Sequence, residues 1–241
     1  MSPFSLEGRT ALVTGANTGI GQAIAVAMAQ AGAEVIAAGR RDCDETVALM
    51  GSGRAVRLDF ADPHAAKDLF AEEAIDILVN NAGIIRREDA VDFSEADWDE
   101  VIDVNLKALF FTCQAFARAA LPRRMGKIVN IASLLSFQGG VRVPSYTASK
   151  HGVAGLTKLM ANEWASQGLN VNAIAPGYIE TNNTKDLRSD PARSVAILDR
   201  IPAGRWGKPE DIAQTAVFLA SPAAAYINGA VLNVDGGWLA R

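Results

Sequence analysis

Seven short apolar runs constrain this chain more than any other feature: TALVTG, AEVIAAG, RAVRLDF, IDILVNN, GKIVNIAS, LNVNAIAPG and GAVLNVDGG. Each is rich in Val, Ile, Leu or Ala and lacks strict polar alternation. That is the pattern of strands buried on both faces. Helix-like stretches lie between them, at 19–31, 62–73, 94–119, 145–167 and 208–220. Strands alternating with helices predict right-handed βαβ units. The expected fold is therefore α/β: a single doubly wound, Rossmann-type domain over 1–241 with a seven-stranded parallel sheet. No linker or repeat interrupts the pattern. The polar segment at about 178–206, which holds NNTKDLRSDPAR, is expected to form a small lid of short helices.

Composition narrows the class. Hydrophobic residues make up 49% of the chain, enough for a large core, yet no run is long enough to span a bilayer. The N-terminal MSPFSLEGRT carries no charged-then-apolar leader, so a cytoplasmic protein is expected. Cys43 and Cys113 are far apart and in no metal spacing. A net charge of −4 without a basic tract argues against nucleic acid as a partner.

The first run leads into TGANTGIG, with Gly15, Gly19 and Gly21. Glycines there allow a tight turn and a close backbone approach to a pyrophosphate. The helix that opens at Gly19 offers free N–H groups and a positive dipole end. Asn17, Thr18 and Ile20 complete the turn. Asp59, with Phe60 next to it, closes the third run and is a candidate acceptor for an adenine amino group, or else a cap. Asn81-Ala82-Gly83 ends the fourth run and lets the backbone pass close to a ligand. At the end of the second run, an acid would favour NAD and an arginine NADP. Gly39-Arg40-Arg41 stands there, which leans towards NADP, although Asp42 and Asp44 follow closely.

Tyr146 and Lys150 are four apart in SYTASK, one helical turn on one face. A tyrosine ionises near 10, and a neighbouring ammonium favours its phenolate. Ser133, at the end of the fifth run, suits a hydrogen bond to a reacting oxygen. Asn105, in the long fourth helix, is expected to bend that helix and hold a water linked to Lys150.

With these motifs the chain resembles a short-chain dehydrogenase/reductase over its whole length. The matching elements are TGANTGIG, NNAG, Asn105, Ser133, Tyr146-x-x-x-Lys150, and the Pro176-Gly177 turn with Thr181. The resemblance implies a catalytic tetrad of Asn105, Ser133, Tyr146 and Lys150, with Tyr146 as proton donor or acceptor. It implies that Lys150 lowers the tyrosine pKa and binds the nicotinamide ribose, and that Thr181 holds the carboxamide, beside Ile179. It implies an NAD(P)(H)-dependent hydride transfer without a metal, and a homotetramer; the long apolar helices 94–119 and 145–167 are candidates for its interfaces.

Several blocks resemble the sugar-acid branch of that family: NAGIIRREDA, SFQGGVRVPSYTASK, NVNAIAPGYIETNNT, LDRIPAGRWG and VDGGWLAR. The implied substrate pair is 2-keto-3-deoxygluconate and 3-deoxy-D-glycero-2,5-hexodiulosonate, with NAD implied as coenzyme where Arg40 and Arg41 permit NADP. A sugar acid needs a cation for its carboxylate, and arginine suits bidentate recognition. Arg86, Arg87, Arg142 and Arg205 lie in substrate-side segments. Arg86 is the first choice as anchor and Arg142 the second. Gln138, Asn182 and Asn183 are lesser candidates for hydroxyl contacts, and Trp238 reads as packing. A gluconate 5-dehydrogenase-like or other polyol enzyme, and an inactive cofactor-binding regulator, are the competing readings.

Overall fold

The structure, a computed structural model, describes residues 2–241. Strands β1 (Thr10–Thr14), β2 (Glu34–Gly39), β3 (Arg54–Arg57), β4 (Ile77–Asn80), β5 (Gly126–Ile131), β6 (Leu169–Pro176) and β7 (Val231–Val234) form one sheet. Their order is β3-β2-β1-β4-β5-β6-β7, and all pairs are parallel. The seven apolar runs are these seven strands.

Helices α1 (Gly19–Gln30), α2 (Asp44–Met50) and α9 (Pro209–Ala220) cover one face. Helices α3 (Lys67–Glu72), α5 (Ala108–Ala120) and α6 (Pro144–Trp164) cover the other. Strand pleating sorts the core residue by residue. Ala11 and Val13 pack with Ile24, Met28, Ile212 and Leu219, while Leu12 and Leu78 pack with Phe70, Cys113, Phe116, Val153 and Met160. Full burial of each such aliphatic or aromatic side chain contributes roughly 1.5–3 kcal/mol. Among the described residues no helix is long and apolar enough to cross a membrane.

The structure adds to the helical reading in two places. Helix α2 is absent from the periodicity because it is short and buries only Thr46 and Met50. The stretch 94–119 is not continuous: α4 (Glu95–Ile102), capped by Ser94 Oγ on the Asp97 N–H (3.1 Å), passes into a π turn (Asp103–Lys107) before α5. Such a turn inserts one residue into the ladder and re-aims the side chain it carries, here Asn105. The segment 178–206 holds two short helices, α7 (Lys185–Ser189) and α8 (Pro191–Leu198). Asp190 Oδ1 caps α8 by accepting from the N–H groups of Ala192 and Arg193 (3.0 and 3.2 Å). The strand order reverses between β1 and β4, and a crevice opens beyond the carboxyl ends of strands at such a point.

Candidate active site

The glycine turn is bonded to the end of β4. Thr14 Oγ1 accepts from the N–H groups of Asn81 and Ala82, both at 3.0 Å. The Asn81 amide donates to the carbonyls of Thr14 (3.0 Å) and Gly15 (3.1 Å). Gly15 has φ +63°, and a Cβ on it would stand 2.9 Å from Ala82 Cα. A Cβ on Gly21 would overlap Gly15 O and Asn81 Nδ2. Both positions need glycine for space, and Gly15 also for its left-handed backbone. Thr18 precedes α1 without a side-chain cap, so the first N–H groups of that helix stay available to an anion.

Other residues named from the sequence stand round the same end. Arg41 lies across the glycine turn, where Asn17 Oδ1 accepts from its Nε (3.1 Å) and Nη2 (2.8 Å). Arg40 is exposed, and its carbonyl accepts from Arg57 Nε (3.1 Å). Asp59 is exposed and caps a turn by accepting from the Ala61 N–H (3.1 Å). Phe60 is buried in the core, so its ring packs against protein.

Beyond β5, Ser133 Oγ accepts from the Leu135 N–H (3.2 Å) at the start of a single 3-10 turn. Tyr146 is on the first turn of α6, with Lys150 one turn further along. Lys150 Nζ lies 5.5 Å from the centre of the Tyr146 ring and donates to Ile131 O (2.6 Å). Burial lowers the Lys150 pKa to about 8. The Tyr146 phenol moves the opposite way to the sequence expectation: burial pushes it above its ordinary value. The Ser133 hydroxyl and the charge of Arg87 oppose that rise. Desolvation wins because the phenolate is the form that loses water.

Asn105 is buried. Its Oδ1 accepts from Ile84 N (2.8 Å), and its Nδ2 donates to Ile84 O (2.9 Å) and Ser149 Oγ (3.4 Å). In this arrangement it pins the backbone just after Gly83, and its Oδ1 keeps a second lone pair.

Two cavities meet at Ser133 and Tyr146. The inner one, about 160 Å³, is lined by Ile20, Asn81, Gly83, Lys150, Ile179 and Thr181 among others. The outer one, about 540 Å³, runs from Ser133 and Tyr146 under α7 and α8 to Trp238. Pro176, Gly177, Asn183 and Thr184 border both. The inner cavity fits one end of a nicotinamide dinucleotide. It joins the first turn of α1, at Ile20, to a buried ammonium that spends one of its three N–H groups on Ile131 O.

Among the described residues no Asp or Glu lines the outer cavity, whereas Arg87, Arg142, Arg193 and Arg200 do. Arg86, the first choice from sequence, lies outside it. Its guanidinium pairs with Glu100 (2.7 Å) and Asp97 (3.5 Å) on α4. Arg142 reaches the wall but is held by Glu88 (2.9 Å) and Asp89 (3.1 Å). Arg205 pairs with Asp211 (2.7 Å), away from this cavity. Gln138 lines the cavity and accepts from Trp238 Nε1 (3.2 Å), so Trp238 both packs and forms wall. Asn182 is outside the lining; its neighbour Asn183 is in it. Sequence reasoning missed Tyr178, Arg193 and Arg200. They sit on or beside the polar segment, where no periodicity says which way a side chain faces.

Arg86→Ala is accordingly expected to change stability by less than about 1 kcal/mol, as exposed ion pairs do. It is also expected to lower kcat/KM equally for charged and neutral substrates. Kinetics with a sugar acid and its amide check this.

Comparison with known proteins agrees with this geometry. Residues 15–239 match the family described as enoyl-(acyl carrier protein) reductase. The chain is 59% identical over 247 residues to the 2-dehydro-3-deoxy-D-gluconate 5-dehydrogenase of Bacillus subtilis, covering 99% of this chain and 97% of the relative. It is 55% identical over 251 residues to the Escherichia coli protein of the same name, covering 100% and 99%. A crystal structure from Agrobacterium tumefaciens, described as a candidate 2-deoxy-D-gluconate 3-dehydrogenase with bound NADP, superposes with a TM-score of 0.98. It is 71% identical, and each chain is fully covered.

Proposed function

The chain belongs to the short-chain dehydrogenase/reductase family, and from that premise we propose that it is an NAD(P)-dependent sugar-acid oxidoreductase. The proposed reaction interconverts 2-dehydro-3-deoxy-D-gluconate and 3-deoxy-D-glycero-2,5-hexodiulosonate. The observation that carries this reading is the meeting of two cavities at Ser133 and Tyr146, one with the open helix end and Lys150, the other lined by arginines and no acid.

A nicotinamide dinucleotide, when bound, supplies the two-electron partner that takes a hydride from the carbinol carbon or returns it. Gly15, Gly19 and Gly21 let the backbone approach its pyrophosphate, and Asn81 with Thr14 holds that turn in place. Lys150 donates to ribose hydroxyls with the N–H groups that Ile131 leaves over. Thr181 and Ile179 close the inner cavity. Ser133 Oγ holds the reacting oxygen, and Tyr146 Oη takes the hydroxyl proton in oxidation and gives it back in reduction. Asn105 positions Ile84, and through it the strand end that borders the reacting carbon.

Steady-state assays with both coenzymes and a panel of sugar acids test the proposal. Turnover is expected to be highest with 2-keto-3-deoxygluconate. A higher kcat/KM for 2-deoxygluconate, oxidised at carbon 3, would favour the second reading, which rests on the Agrobacterium tumefaciens relative at 71% identity. No turnover with any member would defeat both. Supports for a homotetramer are Trp98 and Leu159, on α4 and α6, which keep large apolar areas exposed; light scattering of the purified protein tests it. A cytoplasmic setting and a one-domain organisation belong to the same reading, the latter because one sheet carries all seven strands.

The coenzyme pocket gives a further expectation. Arg40 and Arg41 follow β2 with Arg57 beside them, a cationic cluster suited to a 2′-phosphate. The double change Arg40→Asp/Arg41→Asp is expected to move the NADP-to-NAD ratio of kcat/KM towards NAD by roughly 10- to 100-fold. The basis is the loss of one charge-assisted contact of ~1.5–3 kcal/mol. An unchanged ratio would mean that neither side chain meets the ribose.

A further inference from the structure

The carbon that this site oxidises depends on where it holds the carboxylate, and the outer cavity offers two cationic places. One is Arg87, whose charge is felt at Tyr146 and whose Nη2 donates to Asn183 O (3.2 Å). The other is a platform at Trp238. The Arg200 guanidinium lies over the Trp238 ring, its Cζ 3.9 Å from the ring centre. Trp238 is itself held by Gln138 and packs on the Tyr178 ring at 4.7 Å. Arg193, on α8, lines the same cavity, and the charges of Arg200 and Arg193 both act on the Tyr178 phenol. Among the described residues neither Arg193 nor Arg200 enters an ion pair, unlike Arg86, Arg142 and Arg205. Stacking occupies the face of a guanidinium and leaves its N–H edge free for a carboxylate, already oriented.

Substrate length decides between the two places. In a hexonate oxidised at carbon 5, four C–C bonds separate the reacting carbon from the carboxylate carbon. In an extended chain that is about 5 Å, at ~1.5 Å per bond. With carbon 5 on Ser133 and Tyr146, the carboxylate is carried away from the reacting end. In a hexonate oxidised at carbon 3 the separation is two bonds, about 2.5 Å, and the carboxylate stays beside the reacting carbon, where the charge of Arg87 acts on Tyr146.

We propose that Arg200 on its Trp238 platform, with Arg193 and the Tyr178 hydroxyl, is the carboxylate subsite, and that it sets oxidation at carbon 5. This rests on the sugar-acid reading above. Arg87 then serves the reacting end, where its charge favours the phenolate of Tyr146.

The test compares wild type, Arg200→Gln and Arg87→Gln on 2-keto-3-deoxygluconate and on its carbon-1 amide. Arg200→Gln is expected to lose about 10- to 100-fold in kcat/KM on the acid, the worth of one charge-assisted contact, and less than about 3-fold on the amide. Arg87→Gln is expected to lose on both alike. Equal losses of Arg200→Gln on acid and amide, or none on either, overturn the proposal. So does a charge-selective loss confined to Arg87→Gln, which moves the anchor to the reacting end. Calorimetric titration of the protein loaded with reduced coenzyme, using D-gluconate, tests the subsite without turnover, so it stands apart from the sugar-acid assignment. Weaker binding to Arg200→Gln, by about tenfold, supports the subsite. Unchanged binding, or no binding to wild type, overturns it.

Discussion

Tyr146→Phe is expected to bind coenzyme as wild type does and to lose about 10²–10⁴-fold in kcat, the usual range for removing a positioned acid or base. Only one oxygen leaves, and the ring keeps its place on the first turn of α6. Neither the glycine turn nor Lys150 depends on that oxygen, since Lys150 Nζ bonds Ile131 O and the turn bonds Asn81. Fluorescence titration of the coenzyme beside steady-state kinetics separates the two effects. A kcat within a few-fold of wild type would remove Tyr146 from the proton path. In wild type the phenol is held above its ordinary value by burial. Oxidation of the alcohol should therefore quicken as pH rises and more of the phenolate forms, and Phe should abolish that slope.

Lys150→Met is expected to lower kcat/KM by about 10²-fold or more while making the coenzyme-free protein more stable at neutral pH. The lysine is charged up to its ordinary value of 10.5 in the unfolded chain but only to about 8 when folded. Between those values the unfolded chain binds the extra proton, so wild-type stability rises with pH across that window. Below pH 8 the whole cost is present, on the order of 3 kcal/mol. Methionine fills similar space without charge. It gives up the bond to Ile131 O, a loss of about 1 kcal/mol or somewhat more. The net expectation is a Tm gain of roughly 2–6 °C at pH 7, for ~1–2 kcal/mol in a chain of this size. The gain should shrink and vanish as pH approaches 10. Thermal denaturation at several pH values, without coenzyme, measures it. A variant less stable than wild type at pH 7 would mean that the ammonium is better solvated than its burial implies. The trade of stability for a working site is a familiar one.

These two residues illustrate what is local. SYTASK places Tyr146 and Lys150 on one helical face because a helix returns to the same side after four residues. TGANTGIG announces a turn because only glycine fits where Gly15 meets Ala82 and Gly21 meets Gly15 O. The seven strands were legible because a strand buried on both faces must be apolar throughout. Short-range geometry and the cost of burying polar groups write these features into consecutive residues.

What the sequence could not carry was direction and charge balance. Arg86 and Arg87 are neighbours in a loop, and no period tells them apart. The carboxylates of Asp97 and Glu100, brought over on α4, draw Arg86 outward, while Arg87 is left on the wall of the cavity that Tyr146 also lines. Trp238 reads as packing until the chain end folds against Gln138 and Arg200 to make a cavity wall. Asn105 reads as a helix residue until a π turn points it at Ile84. The sign of the Tyr146 shift reverses for the same reason. A nearby lysine argues for a lower pKa, but depth of burial is a property of the packed whole, and here desolvation outweighs what lowers it, the Ser133 hydroxyl and the charge of Arg87. By itself the sequence determined the sheet, the coenzyme turn and the Tyr–Lys pair, since each follows from spacing along the chain. The tertiary structure alone decided which arginines face the cavity and how far its acid and base are shifted, since those depend on residues distant in sequence and on the water that folding excludes.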